Sequence, residues 1–483
     1  MNRITSALLT DLYELTMIQG YYYYHRNPQV VFDMFFRKQP FQGGFSVFAG
    51  LEDLLETLRG LHFSQEDLEY LEQQGSFTQE FLQYLADFRF EGDVYAMPEG
   101  TVVFPHEPLV RIHSTLIEAQ LIESLLLNLL NFQTLIATKT ARIYLAANEG
   151  KVLEFGLRRA QGMDGALSAS RAAYIGGAAA TSNTLAGKSY GIPVSGTMAH
   201  SWIMAFEDER EAFQRFADLY PDNSILLIDT YDTLHSGLPN AIEIGKQLQH
   251  RGQRLGVRLD SGDLQYLSQK VRQELDAAGL EDAVIAASNE LNEEIIHQLV
   301  VSNTPIDLWG VGTHMVTGGS EASFPGVYKL AAKGTDGQIE PTMKLSDNPE
   351  KSTNPGVKQV YRYYDDSGSP IADLMAFVDE EVSADESRTF YHPYVDFRHF
   401  TMNPPCKVAP LLEKRMEGGE VLGDHPPLSE VRDNTRRNLD ALDFSYKRLI
   451  NPHIYKVSIS QAVKDTKVRM IERFMENGMV ARR

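Results

Sequence analysis

Between residues 150 and 315 the chain alternates short apolar runs with longer amphipathic stretches. The runs are KVLEFG (151–156), IPVSGT (192–197), SILLIDTYD (224–232), RLGVRLDSGD (254–263), AVIAASNE (283–290) and IDLWGVGT (306–313). Most are separated by helical patterns. Residues 263–278 put Leu264, Leu267, Val271 and Leu275 on one face, with Gly279 placed to end the helix. Strand–helix alternation of this kind predicts an α/β fold with a parallel sheet under helical cover. The number of units, and the lack of a dinucleotide fingerprint, favour barrel-like closure over an open doubly wound sheet.

The flanks follow a different grammar. Residues 10–24 read as a helix capped by Thr10 or Asp11, with Leu12, Leu15 and Met17 apolar. VVFDMFFRKQPFQGGFSVFAGL reads as two strands around Pro40 and Gly43-Gly44, and FEGDVYAMPEGTVVFPHEPLVRI as further short strands. Beyond about residue 345, VKQVYRYYDDSGSPIADLMAF reads as a hairpin turning at Asp366-Ser367-Gly368, and a helix is expected over 429–448, before Asn451-Pro452. The predicted organisation is an N-terminal α+β domain over 1–140, an irregular (β/α) barrel carrying the active site over 141–345, and a C-terminal structural segment over 346–483.

Composition narrows the function. At 483 residues with 43% hydrophobic and 23% charged residues, the chain reads as soluble and globular, with more than one substructure. A formal net charge of -20 argues against nucleic-acid binding, and requires a local Arg and Lys cluster or a metal ion to meet any anionic substrate. Cys406 is the sole cysteine, so an internal disulfide and a cysteine-based zinc site are both excluded. The start meets Asp11 before an apolar core develops, and the segment LIESLLLNLLNFQTLIATKTARIYLAA is broken by Glu123, Asn128, Asn131, Gln133 and Lys139. Neither an export signal nor a membrane span is expected, and the cytoplasm is the expected location.

The apolar runs end in chemically capable residues: Glu154-Phe155-Gly156, Ser195-Gly196-Thr197, Asp229-Thr230, Arg258 to Asp263, Ser288-Asn289 and Gly310 to Thr313. Catalytic groups of a (β/α) barrel gather at the carboxyl ends of its strands, so these six ends predict one shared site. SGTMAHSW (195–202) adds His200 among small neighbours. Arg258, inside an apolar context, requires a carboxylate, a phosphate or a ligand. Asp260 and Asp263 flank a tight turn and could orient Arg258 or hold Mg²⁺, or could cap the following helix. Arg158 and Arg159 beside Phe155 suit a planar aromatic acid, or an ion pair. The glycines 310, 312, 318 and 319 would let backbone N–H groups approach a phosphate, without forming a P-loop.

In combination these motifs resemble the nicotinate phosphoribosyltransferases, a type II phosphoribosyltransferase family. The resemblance runs through LLTDLYELTMIQGYY, FFRKQPFQGGFSVFAGLE, EFGLRRAQGMDGALSASRAAYIGG, SGTMAHS, GVRLDSGDL, GVGTHMVTGG and KLSDNPEKSTNPGVKQVYR. The type I pattern fails, since Asp229 and Asp232 stand three apart and no Thr-Gly-Gly loop follows. The resemblance implies transfer of phosphoribosyl from phosphoribosyl pyrophosphate (PRPP) to nicotinate, with Mg²⁺ and with ATP as co-substrate through a phosphohistidine, in a homodimer with sites at the interface. It implies that Tyr13 and Phe155 sandwich the pyridine and that Arg158, Thr197 and Arg258 surround the substrates. It further implies that Gly310, Gly312 and Thr313 hold the 5-phosphate and that His200 is phosphorylated. Asp260 is grouped with His200 and Arg258 as catalytic, with Asp229 or Asp260 expected to hold the imidazole. Lys139 and Arg142 are candidates for the diphosphate, and the metal ligands are not readable. The rival readings are nicotinamide phosphoribosyltransferase and a non-catalytic PRPP sensor.

Overall fold

The central apolar runs become strands of one parallel sheet: β1 (Lys151–Glu154), β2 (Ala180–Thr181), β3 (Ile225–Leu227), β4 (Gly256–Leu259), β5 (Val284–Ser288) and β6 (Leu308–Val311). This computed structural model describes residues 5–335, 338–348, 351–404 and 407–477; Cys406 lies outside the described residues. The strands lie side by side as β2-β1-β6-β5-β4-β3, every pair parallel. All their carboxyl ends therefore share one edge. The run IPVSGT contributes one bridge, Val194 beside Thr181, in place of a strand. Strand β2 is announced by no apolar run, because its two residues sit among small ones.

Among the described residues the ladder does not continue from the Val194 bridge to β3. Side chains span that interval instead. Arg258 donates to the Thr197 hydroxyl at 2.9 Å and to the Met198 carbonyl at 3.3 Å, and His200 meets Thr230 at 3.1 Å. The barrel is irregular because polar side chains replace ladder bonds where the candidate chemistry lies.

Helical cover forms as the periodicity predicts. Helix Leu264–Ala277 buries Val271 and Leu275 in the cluster that holds Val257, Leu259 and Ile285. Asp263 is its N-cap, accepting from the Tyr266 N–H at 3.0 Å, and Gly279 follows with φ 81. The capping reading of Asp263 is therefore the one observed.

The chain divides into two units, the described residues of 136–322 and those of 1–135 with 323–483. The stretches flanking the barrel thus share a unit, where three segments were expected, and the expected boundary at 140 falls inside helix Glu123–Ala146. Strand pairing accounts for the sharing: Gln29–Phe36 runs antiparallel to Val110–Thr115 on one side and to Gly326–Thr335 on the other. The expected hairpin forms from Lys358–Tyr364 and Pro370–Phe377. The helix expected over 429–448 is interrupted: Leu428–Ala441 ends, and Asp443 caps a separate turn, Phe444–Lys447. No helix of the described residues is long and apolar enough to cross a membrane.

Candidate active site

The barrel unit assembles its polar centre around Arg258, which β4 projects from an otherwise apolar strand. Its guanidinium makes four separate hydrogen bonds: Nε to Ser288 Oγ at 2.8 Å, Nη2 to Asp260 Oδ1 at 2.7 Å, and Nη1 to Thr197 and Met198 as above. The carboxylate that Arg258 required is thus Asp260, two residues on. A rigid fork reaching three chain segments fixes the cation far better than a flexible ammonium could. The guanidinium carbon lies 5.9 Å from the centre of the Phe155 ring.

Asp260 also accepts from the Ser288 hydroxyl. Burial pushes its pKa up, but Ser288 and Arg258 outweigh burial and hold it below the usual carboxylate value. Its second oxygen lies 3.9 Å from His200 Nε2, too far for a hydrogen bond. The hydrogen-bond partner of His200 is Thr230, on Nδ1, while Asp260, one of the two expected carboxylates, stands at ion-pair distance from Nε2. Asp229 fastens the turn after β4: its Oδ2 accepts from the Asp260 N–H at 2.9 Å and the Ser261 hydroxyl at 2.6 Å. Its Oδ1 is buried with no partner among the described residues.

Phe155 follows β1, and its N–H donates to the Val311 carbonyl at 2.8 Å, tying that end to β6. Glu154 beneath it is buried and accepts from the Gly156 N–H, Ser170 and Thr181. Gly310 is small for a local reason, since a Cβ there would meet the Phe155 ring at 2.7 and 2.8 Å. A Cβ at Gly312 would stand 3.2 Å from the Phe155 carbonyl. Both glycines thus make room for Phe155, a task that their number in the loop did not reveal. Gly310→Ala is expected to cost about 1–3 kcal/mol by forcing the ring aside, read as a lower urea midpoint. An unchanged midpoint would show that the ring swings clear freely.

Thr313 opens a single turn, Thr313–Val316, with its hydroxyl 3.5 Å from Glu290 Oε1. His314 Nε2 stands 3.6 Å from the other oxygen of Glu290. Asn289 and Glu290 both take positive φ (84 and 37), a costly pairing that puts backbone strain at the end of β5. Arg158 is exposed on the turn Leu157–Arg159.

Lys139 and Arg142 have a different setting. Both are buried and pair with Glu293, at 2.6 and 3.0 Å. Burial pushes the Glu293 pKa up, but the two cations hold it down. This trio pins the long helix to the start of helix Glu293–Val301. Tyr13 belongs to the other unit, on helix Leu12–Tyr23, and is half exposed. Burial of its hydroxyl, with Glu123 and Glu14 nearby, raises its pKa, so the phenol stays neutral.

An α/β barrel with its charged and hydroxyl side chains meeting at the carboxyl ends of the strands defines the class: a barrel protein that works at that face. Sequence comparison narrows the class. Residues 8–131 match the nicotinate phosphoribosyltransferase N-terminal domain, 150–368 the nicotinate phosphoribosyltransferase family, and 357–467 its C-terminal domain. The chain is 43% identical to the nicotinate phosphoribosyltransferase of Bacillus subtilis (strain 168) over 469 residues, covering 96% of this chain and 95% of the other. The crystal structure of human nicotinic acid phosphoribosyltransferase superposes with a TM-score of 0.83 at 31% identity, covering 96% and 100% of the two chains. The chain belongs to the nicotinate phosphoribosyltransferase family. A nicotinate-nucleotide pyrophosphorylase from Pyrococcus furiosus shares the fold, with a TM-score of 0.69 at 24% identity over 90% of this chain and 95% of that one.

Proposed function

We propose that the protein transfers the phosphoribosyl group of PRPP to the ring nitrogen of nicotinate, driven by ATP through a phosphohistidine at His200. The observation that carries this reading is the fixed Arg258–Asp260 pair, set between the Phe155 ring and His200. In the transfer, nicotinate N1 bonds to the anomeric carbon while the bond to the diphosphate oxygen breaks and diphosphate leaves with the electron pair. Phe155 presents one face to the pyridine, and Tyr13 of the partner subunit the other. Arg158 and Arg258 meet the carboxylate and sugar-phosphate charges, Thr197 lies beside the substrates, and Gly310, Gly312 and Thr313 hold the 5-phosphate. Holding the ring in line converts a bimolecular encounter into an oriented one.

In the coupled step, the imidazole of His200 attacks the γ-phosphorus of ATP and ADP leaves. Water later takes the phosphoryl group, releasing phosphate. The Thr230 hydroxyl orients the ring for that attack. Among the described residues no group of three or more His, Cys, Asp or Glu is gathered for a metal. Mg²⁺ keeps several waters and binds through one or two carboxylates plus substrate phosphates. Asp229, with its buried unpartnered oxygen, and Asp260 are the carboxylates at hand. When bound, the ion neutralises charge on the departing diphosphate.

The proposed assembly is a cytoplasmic homodimer, supported by the exposure of Leu12, Tyr13 and Met17 along one helix. The test is incubation with nicotinate, PRPP, Mg²⁺ and ATP, then with nicotinamide in place of nicotinate. Nicotinate mononucleotide is the expected product and the acid the preferred substrate. Preference for the amide would instead favour the nicotinamide reading, and tight PRPP binding without diphosphate release would favour a sensor.

A further inference from the structure

Glu154 ends β1 with a carboxylate that the barrel unit buries, at 1% exposure, among uncharged hydrogen-bond donors. Its Oε1 accepts from the Gly156 N–H, two residues on. Its Oε2 accepts from Ser170, on helix Met163–Ile175, at 2.9 Å and from Thr181 on β2. Both hydroxyls are themselves held. Thr181 Oγ1 accepts from the Asn183 N–H at 2.9 Å, and Ser170 Oγ accepts from the Asn183 side-chain amide at 3.3 Å. Ser170, Thr181 and Asn183 are buried as well, so bulk solvent does not compete for these bonds.

The two oxygens have separate tasks. Oε2 ties the end of β1 to its neighbours, whereas Oε1 reaches forward past Phe155. The Phe155 N–H is bound to the Val311 carbonyl at 2.8 Å, so β6 fixes the peptide entering Phe155 and Glu154 fixes the peptide leaving it. With both flanking peptides held, the backbone cannot swing the ring. Packing closes the remaining routes: a Cβ at Gly156 would overlap the Val316 side chain, and one at Gly310 would meet the Phe155 ring at 2.7 Å. A carboxylate suits this place because it only accepts, and three donors converge on it. Burying it among neutral donors is costly, and an apolar side chain of similar length would spare that cost. Such a side chain could not hold the peptide after Phe155.

We propose that Glu154 is a positioning residue for the transfer reaction: through the Gly156 N–H it sets the Phe155 ring at the angle against which a planar heteroaromatic ring stacks. This inference rests on the reading of Phe155 as one face of the nicotinate site. The effect of Glu154 passes through the Phe155–Gly156 peptide and requires no contact with substrate. A structural role alone, joining β1 to β2 and to helix Met163–Ile175, explains the two bonds of Oε2 and leaves that of Oε1 without a purpose.

The test replaces Glu154 in the full chain by Met, which removes both acceptors, and by Gln, whose carbonyl keeps the one facing Gly156. Glu154→Met is expected to raise KM for nicotinate about tenfold and KM for PRPP less than about twofold, because only the stacking face is loosened. Glu154→Gln should stay within about threefold of the parent. In a Phe155→Leu background Glu154→Met should change the nicotinate KM by less than about twofold, since the ring through which it acts is gone. Equal rises in both KM values, a Gln variant as impaired as the Met variant, or effects that multiply in the double variant would each overturn the proposal. Amide hydrogen exchange supplies a measurement that needs no turnover. The Gly156 N–H should exchange about tenfold faster in Glu154→Met, with Val152 and Leu153 unchanged; an unmoved Gly156 would also overturn the proposal. Should that variant fail to fold, Thr181→Val loosens the same carboxylate and carries the same kinetic and exchange tests at smaller amplitude. A parent protein that makes no nicotinate mononucleotide would overturn the transfer reading, and the exchange measurement would still decide whether Glu154 holds the turn after Phe155.

Discussion

Replacing Arg258 by methionine is expected to lower kcat/KM for nicotinate by about two to three orders of magnitude. Methionine keeps much of the stem's bulk but removes every donor. Four hydrogen bonds are lost, and with them the tie between the end of β4, Ser288 on β5 and the Thr197–Met198 segment. Arg258→Lys restores charge without the planar fork, so it should recover a minor part of the rate. Circular dichroism would confirm that both variants fold. A variant with methionine here and near-normal kcat/KM would remove Arg258 from the reaction altogether.

The same substitution carries a pH signature. Asp260 is held below the usual carboxylate pKa in the folded chain, so its contribution to stability is full above the unfolded value. It is lost as pH falls through the depressed folded value. Arg258→Met removes one of the three groups that hold the pKa down, leaving Ser288 and His200 against burial. The variant should therefore be less stable than the parent near neutrality, and the difference should shrink as pH falls through the window between the variant's higher Asp260 pKa and the parent's depressed one. Urea midpoints measured across that range would show it; a gap that stays constant would mean that Asp260 is not the group responsible.

Much of this centre is legible in the sequence because a parallel barrel converts chain order into spatial order. Any polar residue ending an apolar run must arrive at the same edge, so Arg258, Asp260, Ser288 and Thr230 could be grouped before their contacts were known. Their pairing could not. Thr230 takes one nitrogen of the imidazole and Asp260 stands near the other, a division that only the folded chain defines. The glycine loop was legible as room but not as room for Phe155, whose position is fixed by an interaction between residues 155 apart in the chain. For Lys139 and Arg142 the intramolecular partner was likewise out of reach of the sequence. Two cations on one helix suggested an anion, and in the folded chain both also pair with Glu293, on a helix whose neighbourhood only the folded barrel defines.

His200→Ala should abolish transfer of label from γ-labelled ATP to the protein and remove the stimulation of turnover by ATP. The argument rests on what His200 touches. Its ring meets Thr230 at 3.1 Å and stands 3.9 Å from Asp260, away from the four hydrogen bonds that hold the Arg258 fork. Losing it therefore leaves the Arg258 fork intact, and turnover measured without ATP should stay within about threefold of the parent. Coupling and transfer would then separate in one variant. Thr230→Val provides the finer measurement, keeping the imidazole but not the hydroxyl that orients it. Phosphorylation should slow about tenfold in that variant and still reach the parent's extent, because the nucleophile survives and only its alignment is lost. Label persisting on His200→Ala would place the phosphoryl group elsewhere and sink the assignment. A tenfold or larger fall in its ATP-independent turnover would place His200 in the transfer step itself.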